Sequence, residues 1–345
     1  MKQFILPEKG TFYKAELHIH TNISDGDYTP EELKKKHVEH GYSIMAITDH
    51  DILLPHNELT DENFLAITAT EFKVYEEDGL SWKHGGWKAY HFNLYSKDPN
   101  RVRTSLFSHK YIHPNARPYV TEEMLKDDDS RVYSQEYLND AFRRAKEEGF
   151  LVSFNHPVWS LNHYPDYCDL EGVWGLEVVN YGGYVEGFEE HVGPLDDFLY
   201  QGKQVFPLAT TDAHTDAHMF GGYVMVKAEK LEYQAVMNAL ERGDFYASTG
   251  PRFEELYLED GVLKLRCSPV REILITSGRR FGRRFVAPDG QGLSHLEYDL
   301  NDRFEKDLEA MKVNGVRPYF RITLRDFEGK NAYSRAFFTD ERIEG

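Results

Sequence analysis

The sequence predicts an α/β protein: a mostly parallel sheet closed into a TIM-like barrel over residues 1–250, followed by a small antiparallel β module, sandwich-like, over 251–345. Three observations carry that expectation. Strand-like and helix-like segments alternate through the first part, the pattern of a parallel sheet with crossover helices. Histidines and carboxylates recur where successive strands end, the rim on which a closed barrel builds its site; an open doubly wound sheet would gather them at one switch point. Beyond residue 250 short alternating runs take over.

The elements follow in order. FYKAELHIH (12–20) reads as a strand, and side chains two apart share a strand face, so His18 and His20 reach one point. TPEELKKKHVEHG (29–41) reads as a helix, with Thr29 as cap, Pro30 in the first turn, Glu32 completing a capping box and Gly41 at the exit. YSIMAIT (42–48) is a buried strand running into Asp49, His50 and Asp51. NFLAITATEF is a strand ending at Glu71, and WKAYHFNLY carries His91 inside it. SQEYLNDAFRRAKEEG is a helix, and FLVSFNHP is a strand ending at His156. GLEVVN, VFPLATTDAH and GGYVMVKA are further strands, and LEYQAVMNALERG is a late helix. In the C-terminal part, FEELYLEDGVLKLRC alternates about an Asp-Gly turn, a hairpin signal. PYFRITLRDFEGKNAYSRAFF puts Phe320, Ile322 and Leu324 on one face.

Composition narrows the classes of function. Hydrophobic residues make 41% and charged residues 28% of the 345, a globular balance. A net charge of −18 repels a phosphate backbone, so long nucleic acid is not expected as a partner. Two cysteines, Cys168 and Cys267, exclude a disulfide scaffold. MKQFILPEKG has no signal-peptide pattern, and no apolar run approaches the roughly 20 residues a membrane helix needs. The expectation is a cytoplasmic protein with no membrane partner.

The candidate ligands are His18, His20, Asp25, His50, Glu71, His91, His156, Asp212 and His214. Imidazoles with carboxylates suit borderline dications such as zinc, manganese or iron. Zinc prefers about four ligands, so nine imply two or three ions. His37, His40, His56, His109, His163, His191, His218 and His295 read as surface or hydrogen-bonded residues, and His84 as an exposed loop residue. Asp49 and Asp51 flank His50 and read as orienting groups or turn caps. Glu177, inside GLEVVN, is either an outward-facing surface residue or support for the site.

HIHTNISDG, ITDHD, the strand-end Glu71, NHP and TTDAH together resemble the motifs of the PHP (polymerase and histidinol phosphatase) metallohydrolases, in order across most of residues 12–215. ERGDFYASTGP, followed by a β module, is similar to the branch that includes carbaryl-hydrolase-like proteins. The resemblance implies a distorted (β/α)7 barrel and a two- or three-metal hydrolase. It implies one ion on His18, His20, Glu71 and Asp212, a second on Glu71, His91 and His156, and a third on Asp25, His50 and His214. Glu71 is then the bridge.

A hydroxide shared between such ions attacks an electrophile, and phosphorus fits best because paired ions clamp both the entering and the leaving oxygen. The expected substrate is a small phosphorylated molecule of the nucleotide or sugar-phosphate class. A carboxylic or carbamic ester or amide is the rival substrate, a short oligonucleotide (exonuclease action) the third, and a metal-binding or structural protein without turnover the non-enzymatic alternative. SKDPNRVRTSLFSHKYIHPNAR (96–117) holds Lys97, Arg101, Arg103, Lys110 and Arg117 against one acid. It is either a solvated loop or a lid in which Arg103 and Arg117 grip phosphate. Trp159, after NHP, either stacks on a substrate ring at the mouth or packs under the rim.

Overall fold

The structure is a computed structural model and describes residues 2–76, 88–288 and 290–341; His84 lies outside the described residues. Seven strands lie side by side in chain order: β2 (Thr11–Ile19), β3 (Ile44–Ile47), β4 (Leu65–Tyr75), β5 (Ala89–Ser96), β6 (Phe150–Phe154), β7 (Gly175–Asn180) and β8 (Phe206–Thr210). The pairs β2–β3, β3–β4, β6–β7 and β7–β8 are parallel. β5 is antiparallel to both β4 and β6, so these strands form a mixed sheet in which four of six pairs are parallel. β4 also runs on past Glu71 to Tyr75, because it pairs with β5 along that whole length.

β8 and β2 share no continuous ladder among the described residues. The chain just beyond β8 is nevertheless stitched to the end of β2. Asp212 N donates to His18 O at 2.8 Å, His20 N donates to Ala213 O at 3.1 Å, and Ile19 and Ala213 form a parallel bridge.

The alternation of β4 explains how an apolar sheet carries a polar site. Leu65, Ile67 and Ala69 share one face and lie in a buried apolar cluster with Val236, Met237 and Leu240 of the helix Tyr233–Arg242. The same face, continued along the strand, presents Glu71, Lys73 and Tyr75. Phe72 and Val74 point the other way, into a second cluster with Phe92, Leu94 and helix α2 (Gln135–Glu147), which contributes Leu138, Ala141, Phe142 and Ala145. Helix α1 (Pro30–Glu39) forms as its signature predicts: Glu32 N donates to Thr29 Oγ1 at 3.3 Å and Thr29 N donates to Glu32 Oε2 at 2.9 Å.

The C-terminal residues form an antiparallel strand module. β11 (Phe253–Glu259) and β12 (Val262–Val270) make the hairpin about Asp260 and Gly261, both with positive φ as a tight turn requires. β1 (Lys2–Phe4) and β15 (Leu293–Asp299) complete a four-stranded sheet with them. A second layer orders β14 (Gly282–Val286), β13 (Glu272–Ser277), β16 (Tyr319–Arg325) and β17 (Asn331–Ser334). β17 pairs with β10 (Phe245–Ser248), which pairs with β9 (Tyr223–Ala228), which pairs with β2. Backbone hydrogen bonds thus run from the module into the site-bearing sheet. Phe320, Ile322 and Leu324 sit between the layers with Leu256, Leu258 and Leu263. The helix Asn301–Asn314, closed by Gly315 in the left-handed region, packs Phe304 into the same core. It corrects the expectation of an all-strand module: its apolar positions are too sparse to stand out from the alternating runs.

Candidate metal centre

The nine candidate side chains come from four strand ends, the interior of β4, the start of β5 and the loop after β2, and they converge. Glu71 is the hub and is 1% exposed. Its Oε1 lies 3.3 Å from His18 Nε2, 3.2 Å from His91 Nδ1 and 3.3 Å from His156 Nε2. Its Oε2 lies 3.4 Å from His20 Nε2 and 3.0 Å from His50 Nδ1. Asp212 Oδ1 lies 3.2 Å from His18 Nε2 and 3.1 Å from His20 Nε2, and its Oδ2 3.5 Å from His156 Nε2. Toward solvent, Asp25 Oδ2 lies 3.3 Å from His50 Nε2 and Asp25 Oδ1 3.4 Å from His214 Nε2.

The reversal of β5 explains His91. It is the third residue of its strand, and because β5 runs against β4, that start lies beside Lys73, at the rim where the parallel strands end.

Three groupings have ligand atoms mutually close enough for a shared ion: His18, His20 and Glu71; Glu71, His91 and His156; and His20, Asp25, His50 and His214. A fourth joins His18 and His156 to Glu177. A tetrahedral ion with bonds of 2.0–2.1 Å places its ligands about 3.3 Å apart, close to the separations around Glu71. His91 Nε2 is buried without a hydrogen-bond partner. Buried polar atoms are rarely left so unless something else takes them. The donor set therefore fits borderline dications.

Neighbouring groups aim the ligands. His18 Nδ1 donates to Glu177 Oε1 at 2.7 Å, leaving Nε2 to face Glu71 and Asp212. His156 Nδ1 is 3.0 Å from Ser160 Oγ, and His214 Nδ1 donates to Asp212 O at 2.9 Å. Such contacts fix the tautomer of a ligating imidazole. Glu177 also accepts from His156 N, Asn180 Nδ2 and Thr210 Oγ1. It is fully buried and supports the site, so the outward-facing alternative for it is wrong. Asp49 accepts from Thr21 N, Thr21 Oγ1 and Ser24 Oγ at 2.6–2.8 Å and so pins the loop that carries Asp25. Asp51, His156 and Asp212 all have positive φ, and backbone strain of this kind gathers at functional sites.

Electrostatics points the same way. Burial alone would raise the Glu71 carboxyl, but His91, His18 and His50 outweigh it and hold it well below the usual range. Burial likewise opposes ionisation of Asp212, and His18, His20 and His156 overcome it. Burial pushes the His91 imidazole down to about 4. Four carboxylates in so small a volume require positive charge. Divalent ions held on these donors would supply it.

The other expected residues fall elsewhere. Arg103 is held by Asp127, with Nε to Oδ2 at 2.5 Å and Nη2 to Oδ1 at 3.1 Å. Among the described residues, neither Arg103 nor the exposed Arg117 makes a hydrogen bond or ion pair with the nine. The insert still reaches the centre: Asn115 Nδ2 donates to Ser24 O at 2.8 Å. Trp159 is 37% exposed, with its ring 5.1 Å from that of His156 and 5.8 Å from that of His91. Its Nε1 donates to Glu186 Oε2 at 2.7 Å. Lys73, two residues after Glu71, lies on the same face of β4.

The family model described as PHP domain matches residues 16–150. Six of the candidate ligands, His18, His20, Asp25, His50, Glu71 and His91, fall within it. No curated protein matches the chain. Solved structures that align with it include a two-domain protein from Bacteroides vulgatus containing a predicted PHP-like metal-dependent phosphoesterase. That alignment has 14% identity, covers 97% of each chain and has a TM-score of 0.42. An amidohydrolase from Chromobacterium violaceum aligns at 14% identity over 59% of this chain and 88% of its own, TM-score 0.39. A lesion-specific endonuclease from Pyrococcus furiosus aligns at 13% identity over 67% and 56%, TM-score 0.41.

Proposed function

We propose that the chain is a metal-dependent hydrolase acting on a small phosphorylated substrate of the nucleotide or sugar-phosphate class. The observation that carries this reading is the placement of Glu71, one buried carboxylate with His18, His91 and His156 around one oxygen and His20 and His50 around the other. A carboxylate so surrounded could hold a cation on either oxygen together with the facing imidazoles. The third grouping, with Asp25 and His214, is the more exposed one and faces incoming substrate. We read the seven strands β2–β8 as a distorted (β/α)7 barrel, with residues 1–250 as the metal-bearing domain and 251–345 as a β module. ERGDFYASTGP, ahead of that module, supports placing the chain in the carbaryl-hydrolase-like branch.

Zinc, manganese or iron held by these nitrogen and oxygen donors supplies Lewis acidity and lowers the pKa of water. The chain's own residues do the rest. Glu177 and Ser160 fix the rings of His18 and His156, so their free nitrogens face inward. Asp49 holds the Thr21–Ser24 turn and, through it, Asp25. Trp159 offers a flat apolar surface beside His91 and His156, suited to a ring on the leaving group. Among the described residues no helix is long and apolar enough to cross a membrane.

The test is a substrate panel on protein stripped by chelation and reloaded separately with Mn, Zn or Fe. p-Nitrophenyl phosphate, bis(p-nitrophenyl) phosphate, a p-nitrophenyl carboxylic ester and a short oligonucleotide are the substrates. Preference for the monoester is the expected result. Turnover of the carboxylic ester alone would replace this reading with the ester-hydrolase one, turnover of the oligonucleotide alone with the exonuclease one, and inertness with every ion with a binding role.

A further inference from the structure

A cation stands beside this centre and shares its nearest counter-charge with a second cation. Lys73 lies two residues beyond Glu71 on the same face of β4, about 7 Å along the strand. It is paired across the ladder with His91. Its side chain is 13% exposed, so the ammonium is mostly withdrawn from water. Its ammonium makes a long ion pair with Asp51 Oδ2 at 3.8 Å and a hydrogen bond with the Tyr75 side chain.

Asp51 already has a partner. Arg131, itself buried, places Nη1 2.5 Å from Asp51 Oδ1 and donates to Lys73 O and Leu106 O. The guanidinium is sandwiched between the rings of Phe72 and Tyr111 at 4.1 and 4.5 Å. Asp51 thus faces two cations, Arg131 on Oδ1 and Lys73 on Oδ2, and the three groups leave one net positive charge at the wall of the site. Dications at Glu71 would repel that ammonium unless an anion lay between them. A fold that needed only a counterion for Asp51 has it in Arg131.

Resting on the phosphoesterase reading, we propose that Lys73 is a substrate-binding residue that grips an anionic oxygen of the phosphoryl group and favours a dianionic monoester over substrates of lower charge. A lysine suits this task as a point charge that needs no bidentate geometry.

The experiment uses the metal-loaded full chain and the variants Lys73→Met and Lys73→Arg. Inorganic phosphate binding is measured by titration calorimetry. KM and kcat are measured for p-nitrophenyl phosphate and bis(p-nitrophenyl) phosphate, and metal content by elemental analysis. Lys73→Met should weaken phosphate binding by about tenfold to a hundredfold, the range of a charge-assisted hydrogen bond. It should raise KM for the monoester far more than for the diester at unchanged metal content, and Lys73→Arg should restore most of the phosphate affinity. The proposal is overturned by a wild type that does not bind phosphate, by equal phosphate affinity in wild type and Lys73→Met, by equal losses on both esters, by loss of metal in Lys73→Met, or by Lys73→Arg failing like Lys73→Met. Should the wild type bind phosphate yet hydrolyse neither ester, the phosphoesterase reading falls and the binding comparison alone still judges Lys73.

Discussion

Glu177 Oε1 sits 2.7 Å from His18 Nδ1, and both side chains are fully buried. That contact sets the direction of the His18 lone pair. The other oxygen accepts from His156 N and Asn180 Nδ2, so one carboxylate orders three neighbours of the centre. Replacing Glu177 with Ala should cost about tenfold to a hundredfold in metal affinity, the usual range when the group behind a ligating histidine is lost. Competition with a chromogenic chelator measures it. An unchanged affinity would show that His18 is oriented by packing instead.

Gly26 has no room for a side chain. A Cβ there would lie 2.3 Å from His20 O and 2.6 Å from His20 C, both backbone atoms that cannot step aside. Gly26→Ala must therefore shift the 21–26 turn and carry Asp25 away from His50 and His214. We expect destabilisation of roughly 1–3 kcal/mol, as for other overpacked positions, and a loss of bound metal confined to the Asp25 grouping. Elemental analysis should then give about one ion fewer per chain than in the wild type. Full occupancy would remove Asp25 from the ligand set.

Metal removal should be felt by the fold as well as by activity. The carboxylates of Glu71, Asp212 and Asp25 converge around His20, and ions that bind only the folded chain stabilise it by mass action. At about a thousand times Kd the gain is about 4 kcal/mol. Scanning calorimetry of chelated protein titrated with Mn or Zn should show Tm rising by several degrees and then levelling. A Tm indifferent to every ion would count against a preformed centre.

The legible part of the site was the part carried by strand ends. His18, His20, His50, His156 and Asp212 each close an apolar run, so a polar group there signals a rim rather than a core. The structure brings all five to one place. Lys73 and Glu177 were harder, because a charged residue inside a strand reads as facing water. Which face of β4 or β7 turns toward the site is decided by the neighbouring strands, not by local pattern. The direction of β5 was hidden for a similar reason: AYHFNLYS has the same alternation read either way. The helix Asn301–Asn314 was visible in hindsight through Gly315, but its core contribution is narrow, with Phe304 and Ala310 its buried apolar residues.

Away from the centre, His37 gives a stability effect whose sign can be worked out. It sits in the last turn of α1, buried, with Nδ1 donating to Leu33 O at 2.8 Å and its ring against Tyr42 and Phe220. Nε2 has no hydrogen-bond partner, so protonation would bury an unpaired charge. Burial is the largest influence and pushes the imidazole down to about 4; the Leu33 carbonyl opposes it, and the charges of His40 and Lys14 add to it. In the unfolded chain the same group titrates near 6.5. Between those values the unfolded state binds the extra proton, so stability is full above about 6.5 and is lost as pH falls toward 4. At pH 5 the loss is roughly 2 kcal/mol, taking 1.36 kcal/mol per pH unit. Urea unfolding of chelated wild type and His37→Leu at pH 7.5 and pH 5 isolates the effect. The wild type should lose about 2 kcal/mol more than the variant over that interval. Parallel losses would mean that His37 opens to water before it titrates.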